Sequence, residues 1–537
     1  MLLDGPLVDG HDTGEHLNQM KHFSEQFWQG DLYPRWLLDM NTGLGSPTFF
    51  VYPPLPSYVY ALLLPIAQAL HINAFNFAAW TPLLLSGLTA MLWLNTFASE
   101  AIAAACAALY MAMPYHLAVD FYRRCAISEC WAFVWMPLIL FLVTGVVARK
   151  NWYSIWLAIA FALMVLSHLM SLAIFFVIPI CLSMLLSVNG ERLRSAIRVV
   201  LALGLGTVIS SFYLCPALWN ERYIPASRII SASTWPDNFV GFGRSLFAHS
   251  SGYNFIQMVS WSVVEMMVLV TVCALAALEW GSHHSKTFMV FWITVCGVAV
   301  FMMSRLSWPL TQHLGGLVKA IEFPWRFNGI LCIGAVALLA ICLSRAPADW
   351  GLSKITFSIL FSLLIGTWVY AYGDVWHWYR VDIPPQRDEA HLVNESDGFF
   401  ASWIAPGTDQ RSSLIASSGP KVRFIEGSGT LQLFSWRSRN IEFQANSVKG
   451  GWIMINQFYY PAWRAELVNP ARLTAVKVAL PEGLLEVLTP PGSQRVRVEI
   501  PVSLSERLGG LVSALSVLCV VLLFTPTIRN VFSQQAH

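Results

Sequence analysis

Runs of about 20 apolar residues recur along this chain, separated by short polar breaks, and that repetition decides the fold class before any motif is considered. A run of that length crosses the hydrocarbon core of a bilayer as one helix, because a helix satisfies its own backbone where no water is present. About eleven such runs can be marked, at 76–97, 100–116, 128–148, 152–167, 169–188, 195–214, 257–278, 288–304, 326–344, 354–374 and 508–527. Of 537 residues, 56% are hydrophobic and only 12% are charged, about half the charge of an average soluble protein. A purely soluble enzyme and a disordered chain are both excluded. A formal net charge of +2, without a long Lys/Arg run, excludes a nucleic-acid binder. The expected fold is mainly α, a polytopic membrane protein with the lipid bilayer as its first partner. Its 23 Trp suit many membrane–water interfaces.

Positive charge in short loops orients the spans. Arg149-Lys150, the Arg192/Arg194/Arg198 cluster, Lys286, Arg345, Lys354 and Arg529 are assigned to the cytoplasm. Alternation then places 1–75, 215–256 and 375–507 outside, with shorter outer turns at 117–127, near His168, and at 305–325. The apolar stretch 55–70 carries Pro56 and Pro65, and parity makes it an interfacial or re-entrant helix rather than a crossing. The chain opens at Met1-Leu2-Leu3-Asp4 on polar sequence, so a further helix upstream is expected to carry the first loop across. Most of the ten cysteines lie in apolar runs; Cys125 and Cys130 flank a short polar loop where a disulfide could form.

The period changes to two within 375–507. Val422 and Phe424, then Ile441, Phe443 and Ala445, then Val496, Val498 and Ile500 alternate with polar residues, and Gly/Pro turns separate the runs. About eight short strands predict a small β-sandwich. The expected organisation is thus a first extracytoplasmic loop at 1–75, a transmembrane core at 76–374, an extracytoplasmic β-rich domain at 375–507, and a last span with a cytoplasmic tail at 508–537.

Polar residues gather on the outer side. The densest run is Asp9-Gly10-His11-Asp12-Thr13-Gly14-Glu15-His16, with Thr13 a candidate N-cap of a following helix. Tyr122-Arg123-Arg124 and Glu129 set two cations outside, against the positive-inside rule, beside a carboxylate at a helix start. A guanidinium pair there suits a phosphate, or an ion pair with Glu129. His168 sits at an outer turn, Arg326 follows Glu322-Phe323-Pro324-Trp325, and Glu265 lies within an apolar span.

Together these blocks resemble a known family. Gly10-His11-Asp12-Thr13 with His16, Gly30 through Leu32-Tyr33-Pro34-Arg35-Trp36, Gly45 to Pro47, Tyr52-Pro53-Pro54-Leu55, Tyr122-x-Arg124 with Glu129, Phe323-Pro324-Trp325-Arg326-Phe327, and Tyr459-Tyr460-Pro461-Ala462-Trp463-Arg464 are similar to bacterial membrane proteins of the class C glycosyltransferase superfamily. The branch is the one labelled 6-pyruvoyl-tetrahydropterin synthase-related membrane protein, although the residues show no site for pterin chemistry. The resemblance implies a polyprenyl-phosphate-linked sugar as donor and a glycan, lipid or protein as acceptor. It implies Asp12 as catalytic base, with Asp9 as second choice and Glu129 as the acidic residue of the next outer loop. His16, Arg35, Tyr52, Arg124, His168 and Arg326 are the implied substrate-binding residues. A divalent cation, Mg or Mn, held by Asp12 and Glu129 is the one cofactor it admits. Here His11-Asp12-Thr13 stands where other branches carry adjacent acidic residues, which weakens a metal requirement. The expected location is the bacterial inner membrane, with the site facing the periplasm or cell exterior. Two other classes remain open: a transporter or flippase of lipid-linked glycans, and a non-catalytic membrane assembly protein.

Overall fold

The computed structural model describes residues 10–188, 190–224, 238–241, 255–280, 283–313, 321–345, isolated positions between 362 and 373, 419–480 and 482–534. The expected span at 354–374, Asp9, and most of 375–420 lie outside these residues. Among the described residues, eight helices are long and apolar enough to cross a membrane, or nine if one bent pair counts as a single span. The other expected runs differ for identifiable reasons. The run at 152–167 is an apolar helix of only 15 residues, Asn151–Val165. The run at 195–214 breaks at Ser210 into Arg192–Ile209 and Ser211–Asn220, bent by 69°. Helix Glu100–Met111 is followed by a π-helix, Pro114–Arg124, so that of the turn expected at 117–127 only 125–126 lie between helices. The stretch at 55–70 is a helix, Leu55–Ala69, too short to count among the full-length candidates.

Prolines inside these helices each lack an N–H and strand the carbonyl four residues earlier. At three of them a distant side chain fills the gap. Trp28 Nε1 donates to the Ala61 carbonyl (3.1 Å), freed by Pro65. Tyr110 Oη donates to that of Phe133 (3.2 Å), freed by Pro137. Arg35 Nη2 donates to that of Phe212 (2.7 Å), freed by Pro216 just beyond the 69° break. The Phe212 N–H at the same break donates to Ser513 Oγ at 2.8 Å.

Among the described residues, the β-rich domain has nine strands in two antiparallel sheets. One orders as β1 (Val422–Phe424), β4 (Gly451–Phe458), β8 (Leu484–Thr489) and β7 (Val476–Ala479). The other orders as β2 (Thr430–Arg437), β3 (Asn440–Ser447), β9 (Gly492–Glu499), β5 (Arg464–Val468) and β6 (Ala471–Thr474). Ile441 pairs Val498 and Phe443 pairs Val496, and all four side chains are fully buried. Trp36, Leu44 and Phe50 of the opening segment share this core. Trp36 Nε1 donates to Gln457 Oε1 (2.7 Å), and Gln457 Nε2 donates to the Gly43 and Leu38 carbonyls. Gly45, with φ of 82°, makes the approach possible: a Cβ there would collide with Gln457 and the Trp36 ring.

A buried ion cluster closes the joint. Glu506, at the head of the last helix, receives Arg439 of the β-rich domain (2.8 Å) and Arg35 of the opening segment (3.0 Å). Removing the carboxylate leaves the buried Arg35 and the partly buried Arg439 without their shared counter-charge. Glu506→Gln is therefore expected to cost about 3 kcal/mol and to lower the thermal midpoint of the purified protein. Glu442→Gln, whose partner Arg495 is 47% exposed, should cost under about 1 kcal/mol. Equal shifts in the two variants would remove Glu506 from this role.

Candidate functional site

The π-helix Pro114–Arg124 ends at Cys125 in the left-handed region (φ 56°), and helix Ile127–Val147 starts two residues later. This tight turn sets Arg124 and Glu129 face to face. Arg124 Nη1 donates to Glu129 Oε2 (2.7 Å) and to Asp120 Oδ1 (2.6 Å). Tyr115 Oη donates to the other Glu129 oxygen at 2.9 Å. The Arg124 guanidinium lies over the Trp325 ring, 4.7 Å from its centroid. Arg326 reaches Glu129 at 3.5 Å and Glu322 at 2.8 Å, and donates to the Ile321 carbonyl.

The opening segment docks on the end of the π-helix through its backbone. His11 N–H donates to the Arg123 carbonyl (3.1 Å) and Asp12 N–H to that of Arg124 (2.8 Å). Gly10 permits this, since a Cβ there would lie 2.6 Å from the Arg124 carbonyl carbon and the Cys125 nitrogen. Helix Thr13–Trp28 follows with Asp12 as its N-cap residue, one position before the expected Thr13. The Thr13 hydroxyl instead accepts from the Gly10 N–H (2.6 Å). Asp12 does not cap the helix with its side chain; its carboxylate, 41% exposed, lies 3.7 Å from Arg124 Nη2.

His16 is buried one turn on, with its ring 6.4 Å from that of Tyr52. Tyr52 Oη bonds Ser128 Oγ at 3.0 Å, one residue before Glu129. His168 caps helix Leu169–Phe175: its Nδ1 accepts from the Ser171 N–H and bonds Ser171 Oγ at 2.7 Å. Burial pushes the His168 imidazole down to about 3; Glu129 opposes this, and Arg326, Arg124 and His16 add to it. Burial also lowers His16.

Asp12, Glu129, Arg124, Arg326, His168, His16 and Tyr52 thus converge on one region. Arg35 does not join them: it is held by Glu506, the Phe212 carbonyl and the Tyr33 ring. Among the described residues, no three His, Cys, Asp or Glu side chains come together as metal ligands. Glu129 spends both oxygens on Tyr115 and Arg124, and the guanidinium bridges it to Asp12, so this donor set does not fit a divalent cation. Cys125 and Cys130 are both buried and do not form the disulfide that the sequence allowed. Sequence reasoning gave no role to Asp120, Tyr115, Ser128 or Trp325. For Asp120 a signal existed, an acid inside an apolar run four residues before Arg124.

Residues 49–372, more than half of the chain, match the family described as 6-pyruvoyl-tetrahydropterin synthase related domain; membrane protein. A stretch of 128 residues is 28% identical to a protein named DNA translocase FtsK from Rhizobium meliloti (strain 1021), covering 22% of this chain and 14% of that protein. The chain therefore spans about one-seventh of that relative's length.

Two outcomes follow from the geometry. Gly10→Ala should separate the opening segment from the π-helix and lose two backbone hydrogen bonds. Amide exchange over residues 10–28 is expected to quicken by about tenfold or more, with strands β3 and β9 unchanged; unaltered exchange would contradict the docking. His168 stays neutral in the fold while the unfolded chain takes up a proton below 6.5. Its contribution to stability is whole above that pH and is lost as pH falls toward 3, by roughly 1 kcal/mol per pH unit. His168→Asn should flatten this acid slope in thermal unfolding, and an unchanged slope would assign it to other groups.

Proposed function

The chain belongs to the 6-pyruvoyl-tetrahydropterin synthase-related family of membrane proteins, and on that footing we propose that it is a class C type membrane glycosyltransferase. It moves a sugar from a polyprenyl phosphate to a glycan, lipid or protein acceptor at the outer face of the bacterial inner membrane. The observation that carries the reading is the half-open Asp12 carboxylate, 3.7 Å from Nη2 of the buried Arg124. In this reading the two β-sheets form a sandwich that seats the opening loop.

The acceptor hydroxyl loses its proton to Asp12 while its oxygen bonds the anomeric carbon of the sugar. The bond from that carbon to the phosphate oxygen breaks, and its electron pair leaves on the phosphate. Arg124 Nη2 faces the developing charge, with Arg326 behind it, and fixed donors of this kind stabilise a transition state more than a ground state. One displacement gives inversion, as in glycosidases that place a base opposite the leaving group. No metal step is needed.

One observation favours a second reading. Asp12, Asp120, Glu129 and Glu322 surround Arg124 and Arg326, so these six side chains carry no surplus positive charge for a phosphate. That suits a transporter or assembly protein that holds a lipid-linked glycan without cleaving it. Membranes supplied with labelled polyprenyl-phosphate sugar separate the two: transfer moves label to an acceptor, whereas transport leaves it on the lipid. For transfer, Asp12→Asn is expected to lower turnover by about 10²-fold or more with normal expression. Retained turnover in the purified variant would falsify the role of Asp12.

A further inference from the structure

We infer that Asp120 is a positioning residue that, with Glu129, aims the Arg124 guanidinium at the phosphate of a lipid ligand. The inference rests on the phosphate-binding reading above. Asp120 lies inside an apolar stretch and is fully buried. Its Oδ1 accepts from Arg124 Nη1, while its Oδ2 is buried with no hydrogen-bond partner among the described residues. A buried carboxylate with an unused oxygen is costly, and packing alone would be served better by an apolar side chain.

What Asp120 adds is direction. One carboxylate on Nη1 leaves a guanidinium free to swing about its long side chain. Here Nη1 is gripped from two elements, by Asp120 of the π-helix at 2.6 Å and by Glu129 of the next helix at 2.7 Å. The Trp325 ring supports the flat face at 4.7 Å. With Nη1 held, Nη2 is the edge turned toward the Asp12 carboxylate, on the side where the chain opens to solvent. Asp120 and Arg124 stand four residues apart on one face of the π-helix Pro114–Arg124, just before the turn at Cys125.

The test compares two lipids on the purified full chain: a polyprenyl phosphate, and the polyprenol lacking the phosphate. Asp120→Asn should weaken binding of the phosphate lipid about tenfold in calorimetry, the loss of one charge-assisted hydrogen bond, and leave polyprenol binding unchanged. In an Arg124→Lys background the same substitution should add nothing further. Equal weakening toward both lipids, no weakening, or a full additive effect in that background would overturn the inference. If Asp120→Asn does not purify folded, Asp120→Glu replaces it; that variant displaces the oxygen and should weaken only phosphate binding, and wild-type affinity in it overturns the inference. Wild-type protein that cannot tell the two lipids apart overturns the phosphate-binding reading and this inference with it.

Discussion

A guanidinium withdrawn from water must be neutralised where it lies, and this end of the helical domain is arranged around that demand at Arg124. Its neighbours arrive from four places in the chain: Asp12 from the opening segment, Asp120 from the π-helix, Glu129 from the helix after it, and Trp325 from the 3-10 turn Pro324–Phe327 that opens a later span. None of these elements has to meet the others for its own helix to form. The cost of an uncompensated buried charge, several kcal/mol, makes their meeting obligatory. The opening segment adds two backbone hydrogen bonds to the same spot, and Gly10 is the residue that makes room for them.

The second anchor is Glu506, where Arg35 and Arg439 join the opening segment, the β-rich domain and the last helix. The two anchors divide the labour of the N-terminal region. One end lies on the acidic and basic cluster, and the other lies in the β-rich core through Trp36, Leu44 and Phe50. Helix Thr13–Trp28 runs between them.

The sequence was legible where the signal was local. Apolar run length marked the helices, and alternation marked Ile441, Phe443, Val496 and Val498, each now buried. The blocks around Asp12, Arg124, Glu129, His168 and Arg326 pointed to residues that share one region. Long-range pairing was not legible: Trp36 and Gln457 are 421 residues apart, and neither announces the other. Arg35 illustrates the same limit. Its neighbours in sequence suggested a ligand, but a proline 181 positions away creates the vacant carbonyl that it fills. The π-helix was hidden because the marked apolar run ends at 116, which leaves 117–127 as a turn between spans.

The carbonyls that prolines strand are completed by Trp28, Tyr110 and Arg35, each from outside the helix that carries the proline. A bend completed this way is shared property: its angle is set jointly by the span and by whatever carries the visiting donor. Arg35 couples the 69° break to the segment that carries Asp12. Straightening that helix would restore an ordinary proline gap only by taking the Phe212 carbonyl away from Arg35, so the break and the segment hold each other in place.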